Sequence, residues 1–325
     1  MEKKIRSAEA CVHCHLCREN CAFLEKYGID IGDTEELRDL AYHCFLCGTC
    51  SRVCPKGIDG REIILDMRRE QTEGNGGRPA GKGYGGLLWE KDGYRFRNYR
   101  NVRGKSALFP GCNFSSFYPR TTRHLARLLE REAGIGVIFD CCGKPIAELG
   151  MRKREETIIR ELDRRLEEAG VQELIMVCPN CYHFLKNRLN VRIVSVYEKL
   201  RELGLGRQIP GKKRVFPPCP DKEKLELLDQ IRPFLAEDPE ILGEGQCCGL
   251  GGCGAIREPD LAKEMSRHLG REGEIAVYCA SCGGNYARQG YETAHLLAEI
   301  LGTEEPADTK FSLLNRMKTK YWRKK

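Results

Sequence analysis

The chain has 325 residues, of which 31% are charged, and its formal net charge is +7. This length allows two or three domains with buried cores, and no apolar run approaches the about 18 residues that cross a bilayer. The first residues, MEKKIRSAEACVHC, lack the apolar centre of a signal peptide. These features exclude a secreted or membrane-spanning protein and predict a cytoplasmic one.

Cysteine is the residue that sets this chain apart. Its nineteen cysteines are far more than usual for this length, and their number is odd. The spacings do not fit a small secreted disulfide scaffold, so they favour metal or cluster binding in a reducing compartment.

Two cysteine runs, CVHCHLCRENC and CFLCGTCSRVCP, lie within residues 1–70. Both have the C-x2-C-x2-C-x3-C spacing of a two-cluster ferredoxin, in which the fourth cysteine binds the other cluster. The predicted ligands of two cubane [4Fe-4S] clusters are Cys11, Cys14, Cys17 and Cys54 for the first, and Cys44, Cys47, Cys50 and Cys21 for the second. Structural zinc is the alternative. His13, His15 and His43 are expected to surround the clusters rather than bind them.

The residues around these runs have a helical pattern. DTEELRDLAYHC begins with a capping Asp33 or Thr34, and DGREIILDMRRE predicts a second short helix. We therefore expect residues 1–70 to form a helical ferredoxin domain, of the type found in iron–sulfur subunits of larger complexes. Residues 71–106 contain TEGNGGRPAGKGYGG and are predicted to be a glycine-rich, basic linker.

The rest of the chain repeats itself after about a hundred residues. SALFPGC matches KRVFPPC, and LIMVCPNC matches IAVYCASC. Between them, the adjacent cysteines of FDCCG match those of GQCCG. This duplication predicts two related domains, at 107–205 and 213–303, followed by a basic tail at 304–325.

Each repeat alternates short β-rich runs with longer helical runs. GIGVIFD reads as a buried strand, and RKREETIIRELDRRLEEAG as a helix with Ile158, Leu162 and Leu166 on one face and a Glu161–Arg165 pair. The predicted fold class is therefore a multidomain α+β and α/β chain, with a mainly parallel sheet in each repeat. The repeated cysteines follow strands, so we expect them at the carboxyl ends of those sheets.

The repeated pattern C-xn-CCG-xn-CxxC resembles the CCG domain of the catalytic B subunit of heterodisulfide reductase. Related domains occur in iron–sulfur subunits of anaerobic glycerol-3-phosphate, glycolate and lactate oxidation systems. A two-cluster ferredoxin followed by two CCG domains resembles the fused C-plus-B arrangement of the heterodisulfide reductase D subunit. The resemblance implies two noncubane [4Fe-4S] clusters, each held by five catalytic cysteines: Cys112, Cys141, Cys142, Cys178 and Cys181, and Cys219, Cys247, Cys248, Cys279 and Cys282. Zinc or unmetallated thiols are the alternative.

Several neighbours of these cysteines bear on this interpretation. Gly143 and Gly249 would let the backbone bend close to a cluster, and Pro179 begins a predicted helix whose amides would favour the Cys181 thiolate. Pro220 stands where many relatives have a histidine, so a polar group is missing there. Cys253 belongs to none of these ligand sets. The alternatives for it are an extra ligand, a redox thiol and an inert residue. The GLGGCG stretch imitates a dinucleotide motif, but no acidic residue follows at the required position, so we predict no flavin or nicotinamide site.

The predicted function is that of an iron–sulfur oxidoreductase subunit exchanging electrons between a redox partner and a disulfide/dithiol couple. The partner would be a flavoprotein, a hydrogenase-type subunit or a cytochrome b, and the substrate a small disulfide or thiol. The alternative is an electron-transfer subunit of a flavoprotein dehydrogenase that delivers electrons to quinone; a third is a scaffold with structural clusters. Nothing resembles a nucleic-acid-binding fold. The basic stretches 94–105 and 315–325 are either solvated segments or contacts for phosphates, an acidic partner or the inner face of a membrane.

Overall fold

The structure, a computed structural model, describes residues 6–243, 246–270 and 272–323. The chain forms two compact units, each assembled from three segments. Unit 1 consists of Met1–Asp92, Pro145–Glu155 and Glu244–Gly270, and unit 2 of Gly93–Lys144, Glu156–Gly243 and Arg271–Lys325. Within the described part of the chain, every helix is too short or too polar to span a lipid bilayer.

The described α-helices, in chain order, are α1 (Leu16–Glu19), α2 (Ala22–Tyr27), α3 (Thr34–Asp39), α4 (Thr49–Val53), α5 (Gly60–Gly74), α6 (Gly85–Lys91), α7 (Phe114–Phe117), α8 (Pro119–Ala133), α9 (Lys144–Glu148), α10 (Arg152–Glu168), α11 (Pro179–Leu185), α12 (Val196–Glu202), α13 (Glu226–Ile231), α14 (Pro259–Glu264), α15 (Ala280–Arg288), α16 (Leu296–Ile300) and α17 (Ser312–Thr319). Short 3-10 helices lie at Ala41–His43, Arg232–Phe234, Gly251–Ile256 and Arg267–Leu269. The described strands are β1 (Asn98–Asn101), β2 (Ser106–Phe109), β3 (Gly136–Phe139), β4 (Glu173–Met176), β5 (Arg192–Ser195), β6 (Arg214–Phe216), β7 (Glu240–Ile241), β8 (Ile275–Val277) and β9 (Thr293–His295).

Unit 2 contains two sheets with the same internal order. The first sheet has the order β1-β3-β2-β4-β5 and the second the order β7-β6-β8-β9. All neighbouring strands are parallel except β1, which pairs antiparallel with β3. Leaving out β1, the two sheets are copies, which agrees with the repeat found in the sequence. The predicted α/β fold class with mainly parallel sheets is confirmed.

The strands of unit 2 are buried because the helices of each βα unit cover the sheets. The central strands β2, β3 and β4 carry short apolar runs that are almost wholly buried, which is typical of parallel sheets with both faces covered. Helix α10 presents Ile158, Leu162 and Leu166 to this core, and Arg165 donates to Glu161 at 2.7 Å. Both features of this helix are as predicted.

Unit 1 is built from short helices and loops, with α5 as its longest element. Asp59 caps α5 by accepting a hydrogen bond from the Glu62 amide. The buried face of this helix carries Ile63, Ile64 and Met67, and it also carries Arg68. A separate small cluster consists of Tyr42, Tyr84 and Leu149.

Two segments have more regular structure than the sequence predicted. Residues 71–106, predicted as a linker, contain the end of α5, helix α6 and strand β1. Residues 304–325, predicted as a basic tail, contain α17, whose last turn accepts a hydrogen bond from Asn98. In unit 1, the segment 246–270 packs with the N-terminal residues, although it belongs to the second repeat by sequence.

Candidate iron–sulfur sites

The first predicted cubane ligand set lies together in unit 1. Cys11, Cys14, Cys17 and Cys54 all line one small cavity, with Asp30 and Ile31 on its wall. Gly32 leaves room for this arrangement, since a Cβ there would lie 2.7 Å from the Cys11 sulfur. Burial raises the pKa of Cys17, while the Ile31 amide donates to its sulfur at 3.4 Å.

The second predicted set is more deeply buried. Cys21, Cys44, Cys47 and Cys50 are all at least nine-tenths buried and lie close enough to affect one another's ionisation. Burial raises the pKa of Cys44 to about 11, and burial with the neighbouring Cys21 and Cys44 raises the pKa of Cys50 well above its usual value. Four such thiols cannot all ionise without a compensating cation. An iron–sulfur cluster supplies that positive charge, so the donor set fits the predicted group.

A segment from the second repeat covers this ligand set. The Gln246 side-chain amide donates to the Cys21 sulfur at 3.2 Å and lies 3.7 Å from the Cys47 sulfur. Its oxygen accepts a hydrogen bond from the Ala22 amide at 3.0 Å. The adjacent Cys247 thiol donates to Cys47, and this hydrogen bond lowers the pKa of Cys47 well below its usual value. A predicted noncubane ligand therefore contacts a predicted cubane ligand within unit 1.

Two glycines allow this close approach. Gly252 has φ of +60°, and a Cβ on it would lie 2.4 Å from the carbonyl carbon of Phe45. At Gly254 a Cβ would lie 2.8 Å from the Cys44 carbonyl oxygen. Since both neighbours are backbone atoms, only glycine fits without moving one segment away from the other.

A buried arginine joins the same two segments. The guanidinium of Arg68 is fully buried and donates to four backbone carbonyls: Ala41 at 2.9 Å and Glu148, Gly252 and Cys44 at 2.6 Å each. The central guanidinium carbon of Arg68, Cζ, also lies 5.1 Å from the centre of the Tyr42 ring. Arg68 thus holds a positive charge beside the second cubane set while it satisfies carbonyls from three separate parts of unit 1.

A carboxylate network is centred on Glu258, which follows the same loop. Glu258, only 3% exposed, accepts hydrogen bonds from Lys26 at 2.5 Å, Tyr27 at 2.5 Å and His43 at 2.6 Å. Burial alone would raise the pKa of Glu258, but the bonds from His43, Lys26 and Tyr27 lower it below its usual range. This network ties α2 to the segment that precedes α14.

We expect Glu258→Gln to lower the free energy of unfolding at pH 7 by about 2 kcal/mol, because charge-assisted hydrogen bonds are lost. Because the folded pKa is lowered, the stabilisation is complete above the unfolded carboxyl pKa and is lost as pH falls through the folded value. Denaturant titrations at pH 8, 7 and 6 should therefore all show the penalty, because all three values lie above the unfolded carboxyl pKa. Glu264→Gln, at a pair with half-exposed partners, is the control and should cost less than about 0.5 kcal/mol. A penalty that vanishes at pH 6 would contradict the assignment.

The first predicted noncubane set lies within unit 2. Cys141 and Cys181 both donate to Cys142 and thereby lower its pKa to about 5. Cys112 is close enough to influence Cys142, and a Cβ on Gly111 would lie 3.0 Å from the Cβ of Cys178. The structure thus brings all five of these cysteines together at the carboxyl ends of β2, β3 and β4.

The second predicted set is distributed over both units. Cys219, Cys279 and Cys282 belong to unit 2, whereas Cys247 and Cys248 belong to unit 1. Within unit 2 the CxxC motifs of the two repeats meet: the Cys178 thiol donates to Cys279, which lowers the pKa of Cys279 well below its usual value. The binding of clusters by the ten CCG cysteines stays a prediction.

Polar side chains link the repeats around these motifs. The Asn180 amide donates to the Cys279 sulfur at 3.5 Å, and the Asn113 amide donates to the Ser281 hydroxyl at 2.7 Å. Pro179 is the first residue of α11, as predicted. The thiol of Cys181 nevertheless has a raised pKa, because it donates to Cys142 and Cys178. These hydrogen bonds therefore outweigh the predicted effect of the helix amides.

A buried carboxylate lies next to the position where the sequence lacks a histidine. Asp221 is fully buried, accepts from Tyr278 at 2.8 Å and lies 3.0 Å from the His183 ring nitrogen. The Leu227 and Leu228 amides also donate to it. Asp221 therefore ties Tyr278, His183 and the start of α13 together one residue after Pro220.

Sequence reasoning missed Arg68, Gln246, Glu258 and Asp221. Gln246 stands directly before the adjacent cysteines and Asp221 two residues after Cys219, so nearness to a ligand was an available signal for these two. Arg68 and Glu258 resemble ordinary helix-surface charges in the sequence. The leftover Cys253 is partly buried and packs against the Tyr42, Tyr84 and Leu149 cluster.

Comparisons with known proteins identify the domains that carry these cysteines. Residues 7–58 match the 4Fe-4S dicluster domain, and residues 106–186 and 214–287 each match the cysteine-rich CCG domain. The two matched CCG ranges start at the first strand of each sheet in the repeat, β2 and β6.

Three curated relatives show which kinds of redox protein the chain is similar to. It is 25% identical to the B subunit of fumarate reductase (CoM/CoB) of Methanothermobacter marburgensis, over 86% of this chain and 67% of that protein. It is 23% identical to the D subunit of dihydromethanophenazine:CoB–CoM heterodisulfide reductase of Methanosarcina barkeri, over 72% of this chain and 67% of that protein. It is 27% identical to the EtfAB:quinone oxidoreductase of Syntrophomonas wolfei, over 45% of this chain and 24% of that protein.

The chain spans about half to two thirds of the length of the curated relatives it matches first. The resemblance that the cysteine pattern predicted is confirmed by these matches. The chain belongs to the iron–sulfur proteins that combine a 4Fe-4S dicluster domain with two CCG cysteine-rich domains and that are related to heterodisulfide reductase.

Proposed function

We propose that this chain is an electron-transferring subunit of heterodisulfide-reductase type. It would hold two cubane [4Fe-4S] clusters in unit 1 and a noncubane cluster on each CCG cysteine set. A disulfide takes up two electrons and two protons to give two thiols, so a redox partner must deliver single electrons twice. When bound, the clusters supply the one-electron carriers that this reaction requires.

The contact between Cys47 and Cys247 carries this proposal. A predicted ligand of the second cubane lies against a predicted ligand of the second CCG set, and Gln246 donates to the cubane side. A scaffold protein with structural clusters would have no need for such a junction. The contact instead supports an exit point for electrons from the ferredoxin part to the CCG part.

The residues around the contact between Cys47 and Cys247 would hold the two cysteines in place and shield them from water. Arg68 ties the Cys44 carbonyl to the Gly252 carbonyl, and Glu258 ties α2 to the same loop. Both groups are buried, so water is excluded from this side of the cysteines. In unit 2, Asn180 would hold the Cys279 sulfur beside Cys178.

A second function is favoured by one comparison. The similarity to an EtfAB:quinone oxidoreductase supports an electron-transfer subunit that receives electrons from a flavoprotein dehydrogenase and passes them toward quinone. The two functions differ in what reacts at the CCG cysteines. Only the disulfide-reductase function requires a thiol or disulfide to bind there.

The first experiment measures iron and acid-labile sulfide in protein purified without oxygen. We expect about sixteen of each per chain, that is, four clusters of four. Oxidation in the presence of small thiols should then produce a new paramagnetic signal for each CCG cluster that binds a thiol. About eight of each, with zinc or no metal on the remaining cysteines, would contradict the catalytic role of the CCG domains. A full complement without any thiol-induced signal would favour the quinone-linked function.

Cysteine variants separate the two CCG sets. We expect Cys141→Ser to abolish one noncubane signal and Cys247→Ser to abolish the other, with the cubane spectrum retained in both. Each variant should lose about four iron atoms per chain. Loss of both noncubane signals in either variant would show that the sets are not independent.

A further inference from the structure

Helix α17 is amphipathic, but its polar face is buried and its apolar face is exposed. Its buried residues are Ser312, Asn315 and Thr319, each less than one-tenth exposed. Its exposed residues include Leu313 (48% exposed), Leu314 (45%) and Met317 (41%). At about 100° per residue the polar set covers an arc of about 60° and the apolar set lies on the opposite side. A helix that only packs on a core has the reverse arrangement.

The inward polar face is fixed by hydrogen bonds within unit 2. Asn315 donates to the Ser116 carbonyl at 3.2 Å and to Asp308 at 2.8 Å. The Ser116 hydroxyl donates to the Ser312 carbonyl at 2.6 Å, and Asn98 donates to the Thr319 carbonyl at 2.8 Å. These bonds determine which face points outward. The helix cannot rotate to bury its leucines without losing all of them.

Two more apolar side chains flank the helix. Phe311, which precedes it, is 58% exposed, and Tyr321, which follows it, is 72% exposed. Together with Leu313, Leu314 and Met317 they form a stretch that we call the outward apolar face. Exposed apolar side chains concentrated on one helix mark an interaction surface.

The segment that carries this face is strongly basic. Residues 309–325 contain seven Lys or Arg and no Asp or Glu. In the described part of the chain, no carboxylate lies within ion-pair distance of Lys310, Lys318 or Lys320. Unlike the mixed charges on α10, these cations are not neutralised by the protein itself.

A basic cavity of about 490 Å³ adjoins the end of α17. Its lining includes Arg123 and Arg127 of α8, Lys318, and Trp322, whose ring lies 5.9 Å from the Arg123 guanidinium. One acidic residue, Glu130, lines it and pairs with Arg103 at 3.3 Å. Such a cavity suits the phosphate of a lipid headgroup, and the Trp322 ring, which also packs against Phe139, forms part of its wall.

We propose that α17 and the basic cavity form a docking surface for an anionic lipid bilayer. The outward apolar face would enter the boundary between headgroups and acyl chains, while Lys318 and Lys320 contact the headgroups. This inference is independent of the reaction proposed above. The charge decides between a bilayer and a protein partner: an apolar face next to Lys318, Lys320 and a basic cavity matches a negatively charged membrane surface.

The test is co-sedimentation of the cluster-loaded full chain with vesicles. Two compositions are compared, phosphatidylcholine alone and phosphatidylcholine with about one third phosphatidylglycerol, in about 0.1 M and about 0.5 M salt. We expect binding to the anionic vesicles only, weakened at high salt. Lys318→Gln/Lys320→Gln should weaken it by about thirtyfold, since each neutralised cation near the surface is worth about a factor of five. Lys212→Gln/Lys263→Gln, with the same change in net charge, should bind like the parent.

A second variant separates the apolar contribution from folding. Leu314→Gln/Met317→Gln should weaken vesicle binding by about tenfold or more, because both side chains start half exposed and become buried in lipid. Its thermal midpoint and iron content should equal those of the parent, as the polar face of α17 is unchanged. The proposal is overturned if the parent does not bind anionic vesicles, or if the parent and all variants bind them equally. It is likewise overturned if the same substitutions abolish a self-association that occurs without lipid, since the face would then bind a second copy.

Discussion

Replacing Arg68 with methionine should lower the free energy of unfolding by at least about 4 kcal/mol, because each buried carbonyl left without a donor costs about 1–3 kcal/mol. Four carbonyls lose their donor at once, and they come from three segments of unit 1. Methionine fills much of the aliphatic volume, so the loss reports on hydrogen bonds more than on packing. Denaturant titration under anaerobic conditions is the measurement.

The charge of Arg68 has a separate effect that lysine preserves. A buried cation next to Cys44 stabilises the reduced, more negative state of a cluster bound there. Arg68→Met should therefore make the reduction potential of the second cubane more negative, whereas Arg68→Lys should keep it close to that of the parent. Lysine has only three N–H donors and lacks the planar guanidinium group of arginine. The free energy of unfolding of this variant should therefore still fall.

The control for Arg68 is Arg38→Met. Arg38 is half exposed and pairs with the exposed Glu70 at 2.6 Å, so its loss should cost less than about 1 kcal/mol. If Arg68→Met unfolds at the same denaturant concentration as the parent, the four hydrogen bonds do not support unit 1. If methionine and lysine give the same potential, the charge has no influence on the cluster.

Gly252→Ala should slow electron transfer from the second cubane set to the Cys247–Cys248 pair while leaving every cysteine in place. The new Cβ would meet the carbonyl carbon and oxygen of Phe45 at 2.4 and 2.5 Å, and neither backbone atom can move out of the way alone. The loop that carries Gln246 and Cys247 must therefore move away from Cys47. The rate of single-electron transfer falls steeply with the distance between donor and acceptor. In stopped-flow experiments we expect the cubanes to be reduced in a first phase and the CCG set in a second phase, and the second phase to slow by about tenfold in this variant. The free energy of unfolding should fall by about 2–4 kcal/mol.

The matched control is Gly76→Ala. Gly76 has φ of +65°, close to the +60° of Gly252, but no atom lies within 4 Å of the Cβ position. The strain of a left-handed alanine is therefore the same, about 1–2 kcal/mol, without the clash. Equal reduction kinetics in both variants would mean that the contact between the loops is not on the path of the electrons.

Local patterns were sufficient to predict most of the elements and the presence of iron–sulfur domains. The buried strand β3, the long helix α10 and the helix start at Pro179 follow from periodicity and capping residues within a few positions. The spacing of the first eight cysteines was enough to pair Cys21 with the second run, and the structure does bury it beside Cys44 and Cys47. The duplicated sheets were visible as a repeat because both copies kept their strand and cysteine order.

The parts that escaped prediction depend on contacts between distant residues. Nothing in DMRRE marks the first arginine as buried, since its acceptors come from residues 41, 44, 148 and 252. Likewise, the basic residues of 304–325 predicted only a tail. The hydrogen-bonding groups of Ser116 and Asn98, about two hundred residues earlier, fix a helix there with its leucines outward.

The division of unit 1 into three segments has a consequence for how the protein is made. A ribosome completes the eight N-terminal cysteines long before it reaches residue 252, whose carbonyl is one of the acceptors of Arg68. Until that residue leaves the exit tunnel, Gln246 and Cys247 are not there to cover Cys21 and Cys47. The loop that carries Gln246 and Cys247 therefore cannot cover these thiols while the intervening chain is being made. A cluster delivered during translation would reach the site before that loop closes over it.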